Sequence, residues 1–360
     1  MKLNHKHYSL IDKALSRRSF LAGAGGVAAA GMLAGCSNDG VTMTPGGGNG
    51  GGSTYTDADV LNFALNLEYL EASFYLYAAT GSGLASADMA AGSASPYQTV
   101  GKVTTSSATV TAQKVVGTTT AEQQIINEIA AEEQNHVRFL RAALSTSACA
   151  MPNIDLTFFT PLATLATAGS PTASAGAAFS PFTSFQAFLI GSFIFEDVGV
   201  TAYAGGAPLI SASGVASGYL NAAAGILAVE AYHAAYVRTA LTAMAVTGAA
   251  NATTYLTIAN QVEALRATLT VGNAAAPSAT NNTGNTGVAG TSATVEVPLT
   301  APASASLPTS IVPCDATHAI GFARSVNQVH HIVYGNAAVG TKSGGFFPNG
   351  TNSIFATTTA

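Results

Sequence analysis

Two of the seven histidines in this 360-residue chain, His136 and His233, lie between residues 8 and 317, and each follows a glutamate by three positions. The segments are Glu133-Gln134-Asn135-His136 and Glu230-Ala231-Tyr232-His233. On a helix, positions i and i+3 share a face, so each pair can grip one metal ion from one side. Two further glutamates, Glu68 and Glu196, are each followed seven residues later by a tyrosine, Tyr75 and Tyr203. Seven residues are close to two helical turns, so each tyrosine shares its glutamate's face, about 10 Å along the axis. Beyond each histidine the pattern continues in register as Phe139 and Tyr236, Arg141 and Arg238, Leu144 and Leu241. Two similar helix pairs with approximate two-fold symmetry are what a carboxylate-bridged metal pair in a bundle interior requires.

The residue types suit that chemistry. Four carboxylates and two neutral imidazoles balance two divalent cations, and glutamate oxygens can bridge two metals or change binding mode. Four inward carboxylates without a cation would cost several kcal/mol each in desolvation unless protonated or paired. The expected ligands are therefore Glu68, Glu133, His136, Glu196, Glu230 and His233. The competing reading, solvated helix faces, is disfavoured by the Phe, Leu, Ile and Val that flank these residues at core spacing.

Several neighbours stay open. Glu71 can replace Glu68, although Tyr75 and the match to Glu196 favour Glu68. Glu132 reads as solvated. Arg141 and Arg238 either orient ligand carboxylates or form surface pairs. Tyr75 and Tyr203, the candidate catalytic residues, are either redox-active or hydrogen-bonded to a ligand carboxylate. His318, His330 and His331 read as a solvated group or a surface metal site.

Apolar periodicity and caps predict five helices to carry these groups. The first runs from about Asp57 to Ala79. The second runs from Thr120, with Thr120-x-x-Gln123 as a capping box, to near Ser145. The third starts at Thr183, with Gln186 three residues on, and reaches about Ala204. The fourth spans Val215 to Val246 and the fifth Thr253 to Thr270. The Ser/Thr/Gly-rich stretch 80–118 includes a possible hairpin from Val103 to Val116, and residues 146–180 make a long connection. From Val271 the chain turns Ala/Thr/Asn/Pro-rich and irregular, with room for one more helix between Asp315 and Tyr334. Phe346 and Phe347 mark an ordered, buried turn in the tail.

Residues 1–19 hold five of the thirteen basic residues, leaving 17 acidic against 8 basic from Ser37 onward. That balance makes the mature chain a poor candidate for binding nucleic acid or an anionic membrane surface. Ser16-Arg17-Arg18-Ser19-Phe20-Leu21 reads as a twin-arginine export signal, and Leu33-Ala34-Gly35-Cys36 resembles a lipobox with Cys36 as the lipidated residue. The chain therefore divides into a signal (1–36), a Gly-rich tether (37–54), a helical bundle (55–272) and a C-terminal extension packed on it (273–360). Export implies a periplasmic or cell-envelope location with a lipid anchor in the membrane. Cys149 and Cys314 remain after processing, either as a disulfide or as free thiols.

The stretch Leu65-Asn66-Leu67-Glu68-Tyr69-Leu70-Glu71-Ala72, both Glu-x-x-His motifs and the tail Gly344-Gly345-Phe346-Phe347-Pro348-Asn349-Gly350 resemble the ferritin-like family that includes plant desiccation-related proteins and exported bacterial relatives. The resemblance covers residues 55–350 apart from the Ser/Thr-rich insertions. It implies an all-α, ferritin-like four-helix bundle with a long crossover between helices 2 and 3, plus an extra helix and a largely irregular C-terminal segment. Position by position it implies the same six ligands. The wider superfamily includes ferroxidases, oxygenases, peroxide reductases and manganese catalases, so the scaffold does not fix the reaction. The expected cofactors are two Fe or two Mn ions, and the expected activity is redox chemistry on oxygen or peroxide. The alternative is a non-enzymatic envelope or stress-protection protein with a structural or storage metal site. A third reading, substrate oxygenation, would need an apolar cavity beside the metals.

Overall fold

The computed structural model describes residues 55–247, 251–270, 284–285, 292–293, 295–299, 311–315 and 317–358. The expected signal, lipobox and tether, and much of the 271–313 insertion, lie outside the described residues. Seven helices carry the fold: α1 (Asp57–Thr80), α2 (Thr120–Leu144), α3 (Phe159–Thr167), α4 (Phe185–Gly206), α5 (Tyr219–Thr247), α6 (Ala252–Thr270) and α7 (Val326–Val333). α1 packs along α2 and α4 along α5, and α1 meets α4 across the middle, which makes the four-helix bundle expected from the sequence. α3, in the crossover, packs with α6, and both α6 and α7 cover α4 from outside.

Local chemistry sets the helix ends. Thr56 caps α1 in a reciprocal box with Asp59, and Gly81, at φ 79, closes it in the left-handed region. α2 is capped by Thr119 with Glu122, one residue before the predicted Thr120 box, because Thr119-x-x-Glu122 meets the same requirement and keeps Thr120 helical. Ser184 rather than Thr183 caps α4, while the Thr183 hydroxyl donates to the Ser180 carbonyl at 2.9 Å. The predicted fourth helix is broken: a short helix, Ala212–Ala216, ends at Ser217, and Gly218 at φ 88 turns the chain before α5. Only one face of α2 is buried: Ile126, Ile129, Ala130, Val137, Leu140 and Leu144, with Glu133 and His136 among them. α4 is apolar all round because helices cover it on several sides. The Phe185–Leu209 segment is long and apolar enough to cross a membrane, yet 89% of its most apolar window is buried inside the molecule.

The insertions differ from expectation. Val103–Thr104 (β1) pairs in parallel with Ile154–Asp155 (β2), so only Ser106 and Thr111 bridge as a hairpin would. The Asp155 amide also donates to the Phe346 carbonyl, which ties this pairing to the tail. Between Asp315 and Tyr334 only α7 is helical; before it, Cys314 and Gly321 form a bridge around a turn in which the Asp315 carboxylate accepts from the His318 backbone amide. Cys149 and Cys314 are free thiols, and Cys149 is buried.

Buried polar groups fasten the connections to the bundle. Asn62 accepts from the Cys149 amide and donates to the Ser147 carbonyl, while Asn66 and Asn352 exchange hydrogen bonds of 2.8 and 3.1 Å. Phe346, in the tail, packs edge-on against Phe159 and Phe195 with centroids 5.0 and 4.9 Å apart. Burying each such ring is worth about 1.5–3 kcal/mol. On the far side of α4, Arg238, Arg266 and Arg324 are all buried and share Asp197 and Glu296. Arg266 bridges the two acids, at 3.1 Å to Asp197 and 2.8 Å to Glu296, and lies over the Phe193 ring. The network joins α4, α5 and α6 to the segments around residues 296 and 324.

His330 and His331 are fully buried rather than solvated or at a surface metal site. His330 stacks on Tyr334 with centroids 5.1 Å apart and contacts Thr351, and His331 Nδ1 lies 2.7 Å from the Asn336 carbonyl. Burial, with His331 adjacent, pushes the His330 imidazole down to about 3.

Candidate metal centre

α1 and α4 each contribute one inward glutamate, Glu68 and Glu196, and α2 and α5 each contribute a glutamate and a histidine three residues apart. All six side chains point into the bundle interior and are buried. Both imidazoles turn Nδ1 inward. His136 Nδ1 lies 3.3 Å from Glu68 Oε2, 3.4 Å from Glu133 Oε2 and 3.4 Å from Glu230 Oε1. His233 Nδ1 lies 3.1 Å from Glu133 Oε1 and 3.5 Å from Glu196 Oε2.

The tyrosines cross over. Tyr75 on α1 donates to Glu196 Oε1 on α4, and Tyr203 on α4 donates to Glu68 Oε1 on α1. Sequence spacing placed each tyrosine on its own glutamate's face. In the fold each serves the glutamate of the other helix, which holds the two helices in register. Each bond occupies one oxygen and leaves the other facing the centre.

What remains is a set of buried polar atoms without hydrogen bonds: Glu68 Oε2, Glu196 Oε2, both oxygens of Glu133 and Glu230, and Nδ1 of both histidines. Orphaned buried groups at this density are rare in folded proteins, because each costs about 1–3 kcal/mol or more when charged. Their arrangement answers the question of fit. Glu68, Glu133, His136 and Glu230 offer ligand atoms within 4.8 Å of one another, as do Glu133, Glu196, Glu230 and His233. The two groups share Glu133 and Glu230, whose oxygens are all free, and each adds one histidine and one glutamate held by a tyrosine. This buried carboxylate and imidazole cluster is compatible with binding metal ions.

A protein-family model described as a ferritin-like domain matches residues 56–243, more than half of the chain and the segment that contains all six residues. The chain belongs to the ferritin-like domain family. Comparison with curated proteins and with solved structures gave no match.

The electrostatics of the ferritin-like site follow from burial and pairing. Burial raises the Glu68 carboxyl to about 7, and burial with the surrounding carboxylates raises Glu230 well above its ordinary range. Glu133 behaves oppositely: burial acts upward, but pairing with His136 and His233 prevails and holds it at about 2. Burial acts downward on both imidazoles, yet Glu68 beside His136 and Glu196 beside His233 outweigh it. His136 is raised far above its ordinary value and His233 to about 12. Without metal, the neighbouring carboxylates favour the protonated form of both imidazoles.

Close approach of α4 to α5 depends on Gly199. A Cβ there would stand 2.7 Å from Glu230 Oε2 and 3.2 Å from Glu71 Oε1. Glu71 is buried beside the cluster but belongs to neither four-residue group. Burial and the carboxylates of Glu230, Glu133, Glu68 and Glu196 raise it well above its ordinary range, which favours its protonated form. It is the one charged-type residue lining a small cavity among Leu67, Leu70, Ile194, Phe195, Val198 and Phe346.

Other neighbours correct the sequence reading. Glu132 is not merely solvated: its Oε2 lies 2.7 Å from His233 Nε2. Arg141 donates to the Tyr69 hydroxyl and the Ala87 carbonyl, and Arg238 is buried on Asp197, so neither reaches a ligand carboxylate or sits in a surface pair. His318 pairs with Asp315 at the surface, 2.7 Å away. Nothing in the spacing of Glu132, Asp197 or Glu296 signalled these partners, because each contact joins segments distant in sequence.

Proposed function

We propose that this ferritin-like chain holds two iron or two manganese ions and performs redox chemistry on oxygen or peroxide. The eight orphaned buried atoms carry the reading: two terminal Glu–His sets and two shared glutamates are a ligand set for a pair of ions. Glu68 and His136 would serve one position, Glu196 and His233 the other, and Glu133 and Glu230 both. Bound there, such ions supply two-electron exchange with a small oxidant. The chain's own residues do the rest. Tyr75 and Tyr203 fix the terminal carboxylates and hold a proton on each. Leu67, Leu70, Ile194 and Val198 keep bulk water from the inner face. Glu71 stores a proton at the cavity wall. The cavity offers about 20 Å³, room for a water-sized molecule, which suits oxygen or peroxide and not a large organic substrate.

The export elements complete the proposal: a twin-arginine signal, a lipid anchor at Cys36, a periplasmic or envelope location and kinship with desiccation-related proteins. In this reading 55–272 is the bundle and 273–360 its extension. A structural or storage role for the same metals is the second reading, favoured by the depth of the ligands, since Glu68, Glu133 and Glu230 are 0% exposed.

The test is metal analysis by mass spectrometry on protein exported by its native route. About two Fe or Mn per chain are expected. Glu133→Ala, which removes a shared ligand, should lower both occupancies rather than one. Protein that leaves the cytoplasm without Fe, Mn or Zn would sink the reading. Catalase and ferroxidase assays on loaded protein then separate turnover from storage.

A further inference from the structure

The two halves of the site differ in what stands behind each histidine. His233 Nε2 meets Glu132 Oε2 at 2.7 Å, and the Glu132 side chain is 40% exposed. Glu132 immediately precedes Glu133 on α2, and it reaches across to the histidine of α5. The equivalent position before Glu230 is Val229, half-buried like Glu132 but without an acceptor. Among the described residues no side chain bonds the outer nitrogen of His136. The inner nitrogens, by contrast, are similarly placed, 3.1–3.5 Å from their carboxylates.

A carboxylate behind a ligand imidazole fixes its tautomer, locks the ring plane and makes the inner nitrogen a stronger donor. An apolar neighbour does none of these. We propose that the two metal positions are unequal by construction: the position served by His233 and Glu196 binds its ion more tightly and fills first, with Glu132 as the positioning residue. This rests on the two-metal reading above. It adds an order of filling, and hence a state with one ion bound, that the near-symmetric ligand set alone would not give.

The experiment is anaerobic titration of metal-stripped, full-length protein with Mn²⁺, followed by calorimetry, and with ⁵⁷Fe²⁺, followed by Mössbauer spectroscopy. Wild type should bind in two steps whose dissociation constants differ by about 10–100-fold, the range typical of a lost carboxylate behind a ligand histidine. One equivalent of iron should give a single quadrupole doublet. Glu132→Val, which copies the other half, should weaken the tight step until the two merge, and one equivalent of iron should then give two doublets. Glu132→Gln, which keeps an acceptor, should retain part of the gap. A merely structural role would lower the melting temperature of stripped protein and leave the ratio of the two steps alone. Two equal steps in wild type, or an unchanged ratio in Glu132→Val, would overturn the proposal while leaving the two-metal reading intact. No binding in wild type would overturn both.

Discussion

At the scale of single residues, the site is a set of charges that metal and protons compete to neutralise. Stripped of metal, His136 and His233 are held protonated by Glu68 and Glu196. Groups raised on folding contribute stability that is complete below the unfolded value and lost as pH climbs through the folded one. For His233 that loss runs from 6.5 toward about 12, and for Glu68 from 4.5 toward about 7. Glu133, held at about 2, matters only below 4.5 and with the opposite sign. The melting temperature of stripped protein should therefore fall from about pH 5 to about pH 9, while metal affinity rises because fewer protons must leave. Scanning calorimetry of stripped and loaded protein across that range should show the gap between them widening; a stripped protein that gains stability with pH would contradict the assignment. The six buried, inward-facing side chains were legible in the sequence because helical spacing alone brings Glu133 to His136 and Glu230 to His233. The crossed tyrosine bonds and Glu132 were not, since helical periodicity says which face a residue takes and not which helix it meets.

At the scale of elements, α4 shows propensity yielding to packing. An exposed glycine inside a helix costs roughly 0.5–1 kcal/mol relative to alanine, so Gly199→Ala should stabilise an isolated α4. In the bundle the added methyl would press on Glu230 and Glu71. The expected outcome is a variant with intact helical circular dichroism and less metal bound than wild type, measured after loading under identical conditions. Full occupancy would mean Glu230 can shift without leaving the site. Helix positions read well from the sequence: α1, α2, α4 and α6 begin and end within about two residues of the expected bounds. The break before α5 was harder to see, because Ser217-Gly218 sits in a run of small residues that breaks no apolar pattern. The pairing of β1 with β2 was invisible for a different reason. Two residues carry no periodicity, and their register is set by the tail through the Asp155 amide.

At the scale of the whole molecule, the bundle is closed from outside by charge as well as by rings. Arg266 is the middle of a buried chain of ions, and its removal would break one ion pair to Asp197 and one to Glu296 while the pairs Arg238–Asp197 and Arg324–Glu296 stay. Arg266→Met should destabilise the protein by about 3–5 kcal/mol, read by denaturant unfolding, and adding Glu296→Gln should deepen the loss, because it takes from the buried Arg324 its carboxylate partner. Equal losses in the single and double variants would place the effect in packing against Phe193 instead. None of this network was legible beforehand, since its members are scattered singly from Asp197 to Arg324. The tail adds a consequence of another kind. Phe346 packs into the inner aromatic cluster, yet it is made roughly 110 residues after His233, the last of the six inward side chains; at about 5–20 residues per second that is an interval of about 5–20 seconds. Each newly made molecule passes through a period in which the six inward side chains exist but their lid of phenyl rings does not. On the proposed two-metal reading, the time for which the site stands open to ions is set by how fast the ribosome reaches the tail.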